Sequence, residues 1–343
     1  MKPIVSLMKV ENIELSLREA LEHHGGMKAI VPYGSSVLIK PNFTCALPPE
    51  TGAASDPEIA AVLARLALES GASKVIIADG IGAGHVTIKD VKGLDEISKI
   101  KAVETIDLVE IRNLVEIRDL VEIRDLNDEI TRTVYVPDPL VVDRFDIPHV
   151  VLECDVLINL AKLKVHPLAV FSLAMKNMIG VLPGRSYADQ EEAKKQGFPT
   201  PVIPGGGKKI FHELARDGGS VLIQKAIVDL NTVVRSHFTV IDGIYGMEGK
   251  GAPVRGTPVK MDVLIAGTDI VAVEAVGAAV MGFNPDSIPY FKHAVDKGVG
   301  YEYKINNIDI RGAKLNDVRR RFEPASAFYL WKMKSKPNEK ARL

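Results

Sequence analysis

Lys162, Lys164 and His166 stand two residues apart in Ala161-Lys-Leu-Lys-Val-His-Pro167, directly after the apolar run Asp155-Val-Leu-Ile-Asn159. On an extended chain, successive side chains point to opposite faces, so these three groups share one face and Leu163 and Val165 share the other. Three groups able to carry positive charge repel one another unless an anion or a carboxylate sits among them. The chemistry this favours is anion binding, with Lys40, Asn42, Lys162, Lys176 and Asn177 as candidate substrate-binding side chains. Gly206 and Gly207, in Gly205-Gly-Gly207 ahead of a helix, add candidate backbone N–H donors. Candidates for proton transfer are His166, Lys164 and His212, because a lysine or histidine crowded by cations falls towards neutrality. Asp79, Asp242 and Glu248 are candidate orienting or metal-binding carboxylates. His166, His212 and a carboxylate would make the metal set, although no short His-x-His or His-x-x-x-His spacing supports it.

These residues recur where strands are expected to end. Lys40 and Asn42 follow Ser36-Val-Leu-Ile39, Asp79 follows Lys74-Val-Ile-Ile-Ala78, and Asp242 follows Thr239-Val-Ile241. Between the first two runs, Asp56-Pro57-Glu58 opens a helix with an N-cap carboxylate and a proline in the first turn. Ile59, Val62, Leu63 and Leu66 give that helix an apolar face, and Gly71 stops it. The result is a β–α–β unit, the building block of a parallel sheet, whose ligand crevice lies outside the carboxyl ends of the strands. Helices are expected over 167–180, 220–228, 269–282 and 286–298, and strands over 261–266 and 306–310. Residues 183–207 are rich in Pro, Gly and charge and read as a long loop able to cover the site. Gly243, Gly246, Gly249 and Gly251 read as a glycine-rich loop after the Asp242 strand. A tandem repeat fills 108–125: Leu-Val-Glu-Ile-Arg-Asn once, then Leu-Val-Glu-Ile-Arg-Asp twice. A period of six fits an extended chain better than a helix, and a duplicated surface hairpin or loop is the expectation.

The chain has 343 residues, 46% hydrophobic and 25% charged, with 43 basic and 44 acidic side chains. Composition of this kind belongs to a globular α/β protein. The expected architecture is mainly parallel sheet flanked by helices, as one body or as two lobes around a cleft. An N-terminal α/β region is expected over 1–150, a second carrying most of the site over 151–330, and a basic tail over 331–343. The balanced charge argues against nucleic acid as partner, and no apolar run reaches membrane-spanning length. Two cysteines, Cys45 and Cys154, suit a reducing cytoplasm, with Cys154 as a packed thiol.

The stretches 37–42, 155–166, 175–184 and 241–249, together with His212 and Asp269, resemble a large family catalogued as domain of unknown function 362. The resemblance implies an α/β fold and the site location above, but no settled reaction. Relatives resemble fusions to iron–sulfur modules; this chain lacks the cysteines for a cluster of its own. More distantly the layout is similar to the lactate racemase superfamily, which implies a nickel pincer-type nucleotide or another divalent-metal cofactor. The expectation that follows is an enzyme acting on a small carboxylate or phosphate, isomerase- or racemase-like, with Lys/His acid–base chemistry. The alternative is a non-catalytic anion-binding protein or an accessory subunit of a redox system. A homo-oligomer is compatible with either.

Overall fold

A computed structural model describes residues 2–44, 47–81, 88–94, 121–184, 208–217 and 219–325. Its strands are β1 (Ile4–Lys9), β2 (Ser36–Lys40), β3 (Lys74–Asp79), β4 (Val121–Asp125), β5 (Thr131–Tyr135), β6 (Arg144–Pro148), β7 (Val156–His166), β8 (Val170–Phe171), β9 (Phe238–Glu248), β10 (Thr257–Gly267) and β11 (Asp309–Gly312). A nine-stranded sheet runs in the order β11-β1-β10-β9-β7-β2-β3-β4, with β8 attached to β7, while β5 and β6 form a separate pair. From β9 to β4 every neighbouring pair is parallel. On the other side, β10 is antiparallel to both β9 and β1. The sheet draws strands from both sides of residue 150 and is continuous across it.

Both faces of the sheet are covered, which is why its strands read as apolar runs rather than alternating ones. Val37, Ile39, Val75, Ile77, Ile158, Leu160 and Val240 face one core. That core is closed by helices α1 (Ile13–Glu22) and α2 (Pro57–Glu69). Leu38, Ile76, Ala78, Leu157, Ala161, Leu163, Val165 and Ile241 face the other. There the cover is α3 (Ala174–Asn177), α4 (Lys209–Asp217), α5 (Gly219–Val233), α6 (Ile270–Val280) and α7 (Pro289–Asp296). Helix α2 begins as its sequence dictates, with the Asp56 side chain accepting from Glu58 N at 2.9 Å. The Asp269 side chain caps α6 by accepting from Val271 N and Ala272 N.

Four expectations are corrected. First, the helix expected over 167–180 is reduced to β8, α3 and a 3-10 turn over Met178–Val181. His166 Nδ1 accepts from Leu168 N and Ala169 N, which turns the chain where a helix would otherwise start. Second, β7 does not end at Asn159 but continues through the cations to His166. Lys40 is the register partner of Asn159, so residues 160–166 run beyond the end of β2. Third, the glycine-rich loop after Asp242 is strand as far as Glu248. A Cβ on Gly243 would meet Leu163 and Val263 side chains, and one on Gly246 would lie 2.9 Å from the ring of Phe322. These glycines make room for packing, not for a ligand. Fourth, the last repeat copy is not a surface loop: Val121–Asp125 is the edge strand β4, paired with β3. Val121 and Ile123 pack on the α1/α2 core. Glu122 lies 2.5 Å from Lys74 and 2.6 Å from Arg124. The first two copies, the 185–207 stretch and the 331–343 tail lie outside the described residues.

Candidate functional site

The carboxyl ends of β2 and β3, the overhang of β7, and α3 with its 3-10 turn enclose one buried polar cluster. Lys40, fully buried at the end of β2, donates to Asp79 Oδ1 at 2.7 Å, to Pro41 O at 2.6 Å and to Asn177 Oδ1 at 3.1 Å. Burial lowers the Lys40 pKa, and the Asp79 charge beside it works in the opposite sense. The second oxygen of Asp79 accepts from Phe43 N at 2.8 Å. Asn42 joins the cluster from the next turn, donating to Asn177 Oδ1 at 2.8 Å and accepting from Lys164 Nζ at 2.8 Å. Lys164 also donates to Ala53 O at 2.5 Å. Asn177 spends its own amide N–H groups on Asn159 Oδ1 at 2.7 Å and on the carbonyls of Lys40 and Leu160. Gly180 is required here: an added Cβ would collide with the Lys40 side chain and Asp79 Oδ1.

A second ion pair lies farther along β7. Lys162 and Asp242 are register partners, and Nζ lies 2.8 Å from Asp242 Oδ2. Asp242 also accepts from Asp56 N and Ile244 N. Its oxygens are thus committed within the protein.

Three further basic groups lie beside this cluster. Lys176 is half-buried on α3 and makes no hydrogen bond or ion pair among the described residues. Burial, with the charges of Lys208 and Lys40 beside it, lowers its pKa to about 8. Lys208 donates to Gly80 O, and burial lowers its pKa to about 8 as well. His166 lies close enough to Lys176 and Lys164 to feel both charges, although burial is the larger cause of a pKa well below the usual imidazole value. The imidazole is therefore neutral at pH 7. Because Nδ1 accepts two backbone N–H groups, the proton sits on Nε2.

Beneath Lys176 lies Glu274 of α6, a residue that nothing in the local sequence pattern singles out. It is completely buried. It accepts from Met175 N at 2.7 Å and from the Tyr290 hydroxyl. Burial raises its pKa to about 7, with Lys176 among the groups pulling it down. Asn159 and Lys208 also join the site without having been expected there from the sequence. An asparagine in the middle of an otherwise apolar strand is the available signal for the first, since a buried amide must be hydrogen-bonded.

The remaining candidates are placed elsewhere. Glu248 holds the chain near the C-terminal end of the described residues, accepting from Glu323 N at 3.0 Å with Arg320 at 3.6 Å. His212 lies on α4. Gly206 and Gly207 fall outside the described residues. Among the described residues no group of three or more His, Cys, Asp or Glu converges as a metal-ligand set. No helix among them is long and apolar enough to cross a membrane.

Fold and cluster together define an α/β protein with a cationic polar site at the carboxyl edge of the parallel half of its sheet. The chain belongs to the family described as Domain of unknown function (DUF362), whose model matches residues 37–279. It is 26% identical over 295 residues to the thylakoid-associated protein sll1697 of Synechocystis sp., covering 83% of this chain and 76% of that one. Among solved structures, the lactate racemase apoprotein of Thermoanaerobacterium thermosaccharolyticum is 15% identical with a TM-score of 0.38, over 78% of this chain. A Thermotoga maritima protein is 14% identical with a TM-score of 0.39, over 82% of this chain. The chain spans 54% and 58% of the lengths of these two structures.

Proposed function

We propose that the cluster is the active site of an enzyme that binds a small anion, a carboxylate or phosphate ester, and moves a proton on it. One observation carries this reading: Lys176 has no partner among the described residues, yet stands beside Lys208, Lys40 and a neutral His166. Lys40 and Lys162 are answered internally by Asp79 and Asp242. Lys176 and Lys208 are left to attract an anion, and an anion between them would relieve their mutual repulsion. Asn42, Asn177 and Lys164 hold the floor of the site in register. With its proton on Nε2, His166 can hydrogen-bond a substrate oxygen as it gains charge. Isomerisation or racemisation beside a carboxylate is the favoured reaction class.

A bare divalent cation does not fit this lining, whose nearest carboxylates are already bound to lysines or backbone N–H groups. The phosphate of a nucleotide cofactor, such as a nickel pincer nucleotide, does fit: Lys176 and Lys208 would hold it. When bound, such a group would supply an acceptor for the hydrogen removed beside the carboxylate. We place the protein in the cytoplasm, with a small anion as partner rather than nucleic acid or membrane.

Calorimetric titration of purified protein with inorganic phosphate and a series of 2-hydroxy carboxylates tests the reading. One of these ligands at 100 times its Kd should stabilise the protein by about 2.7 kcal/mol, and Lys176→Met should abolish the effect. Deuterium exchange from D2O beside the carboxylate, lost in His166→Gln, would mark an enzyme. Binding without exchange would favour the non-catalytic alternative.

A further inference from the structure

Lys176 differs from every other lysine of the cluster in having no partner among the described residues. Lys40 and Lys162 each face a carboxylate, Lys164 bonds Asn42 and Ala53 O, and Lys208 bonds Gly80 O. Lys176 Nζ has no hydrogen-bond partner among the described residues, and the half-buried side chain lies within reach of a small solute. The charged groups around it are Lys208 and Lys40, with Glu274 acting in the opposite sense, and His166 lies close enough to feel the Lys176 charge. A merely electrostatic lysine would be ion-paired to the carboxylate at its base. Here Glu274 is turned to the Met175 N–H and Tyr290 instead.

We propose that Lys176 is a nucleophile that forms an imine with the carbonyl of a small anionic oxo acid held by Lys208. This rests on the anion-binding reading above and extends it to a substrate class. The nitrogen lone pair attacks the carbonyl carbon, and one amine proton passes to the carbonyl oxygen as the C–N bond forms. The C–O bond then breaks, the oxygen takes the second amine proton and leaves as water, and amine and carbonyl become imine and water with no change of oxidation state. Nε2–H of His166 hydrogen-bonds the oxygen while it carries negative charge. A lysine beside other cations is suited to this role because its unprotonated form is abundant near neutral pH. With a pKa of about 8, its neutral fraction at pH 7.5 is on the order of a hundredfold above that of a surface lysine.

The test is reductive trapping on the wild-type protein. Pyruvate, and separately pyridoxal 5′-phosphate, would be incubated with sodium cyanoborohydride at pH 7.5, and the adduct located by peptide mass spectrometry. Label at Lys176 at least about tenfold above the surface lysines is expected from its neutral fraction, and above Lys208 because Lys208 is engaged with Gly80 O. Inorganic phosphate should protect it, and Lys208→Ala should weaken the labelling while leaving its position unchanged. Label spread over surface lysines, or centred on Lys208, would overturn the proposal. So would calorimetric binding of phosphate without any adduct, which would leave the anion-binding reading standing. Absence of both binding and adduct would remove the two together. Mapping the wild type makes the result independent of whether a Lys176 variant folds.

Discussion

At the scale of single residues, the site separates into lysines that are answered and lysines that are not. Asp242→Ala would strand the buried Lys162, and chemical denaturation should show a loss of about 3–5 kcal/mol. The unanswered pair controls pH behaviour. Phosphate needs Lys176 and Lys208 protonated, so its affinity should fall as pH rises through about 8, read by titration from pH 6.5 to 9. Glu274 acts on stability. Its folded pKa of about 7 lies above the ordinary 4.5, so the native state binds more protons than the unfolded state between those values. Stability should therefore fall across that window as pH rises, by about 3 kcal/mol from this group alone. Glu274→Gln should flatten that slope in urea melts; an unchanged slope would mean Glu274 is ionised throughout. The sequence around Glu274, the otherwise apolar string Ile270–Val280, gives no sign of these partners. Lys40 and Asn42, by contrast, are legible because a polar pair closing an apolar strand lies where an open α/β sheet places its ligand crevice.

At the scale of elements, local signals worked where one element carried them whole. Helix α2 has its cap, its proline and its apolar face within residues 56–69. The extents of β7 and β9 were hidden because lysine and aspartate in mid-strand normally mark an end. Here they are cross-strand partners that neutralise each other, and that pairing is visible only once β7 and β9 lie side by side. Lys208 is brought to Gly80 across 128 positions of sequence, a juxtaposition no local pattern encodes. The repeat supplies a test at this scale. Strand β4 is the last of three copies, and residues 114–119 are identical to 120–125. Deleting 114–119 brings 108–113 directly before Leu120, so the flank of β4 differs at one position only, Asn113 in place of Asp119, and changes in the length of a connection are tolerated thermodynamically. Stability should change by less than about 1 kcal/mol in urea melts. A larger loss would mean the upstream copy has a structural place of its own.

At the scale of the molecule, the strands that carry the polar cluster pack into two apolar cores, one on each face of the sheet. Phe322, 2% exposed, presses on Gly246 of β9, and Glu323 is bonded to Glu248 and Gly249. Phe322→Ala should cost about 3–5 kcal/mol of global stability. Because Phe322 is anchored on the strand that carries Asp242, a thermal melt should show one cooperative loss rather than a detached tail. The order of the sheet also bears on how the protein comes into being. Strand β1 ends at Lys9 and has its two neighbours in β10 and β11, which end at residues 267 and 312. At about 5–20 residues per second, β1 waits on the order of tens of seconds for them. During that interval its unpaired edge and buried-to-be face must be shielded by transient contacts or by a chaperone. The nascent chain is therefore most vulnerable along β1, long before the polar cluster has been assembled.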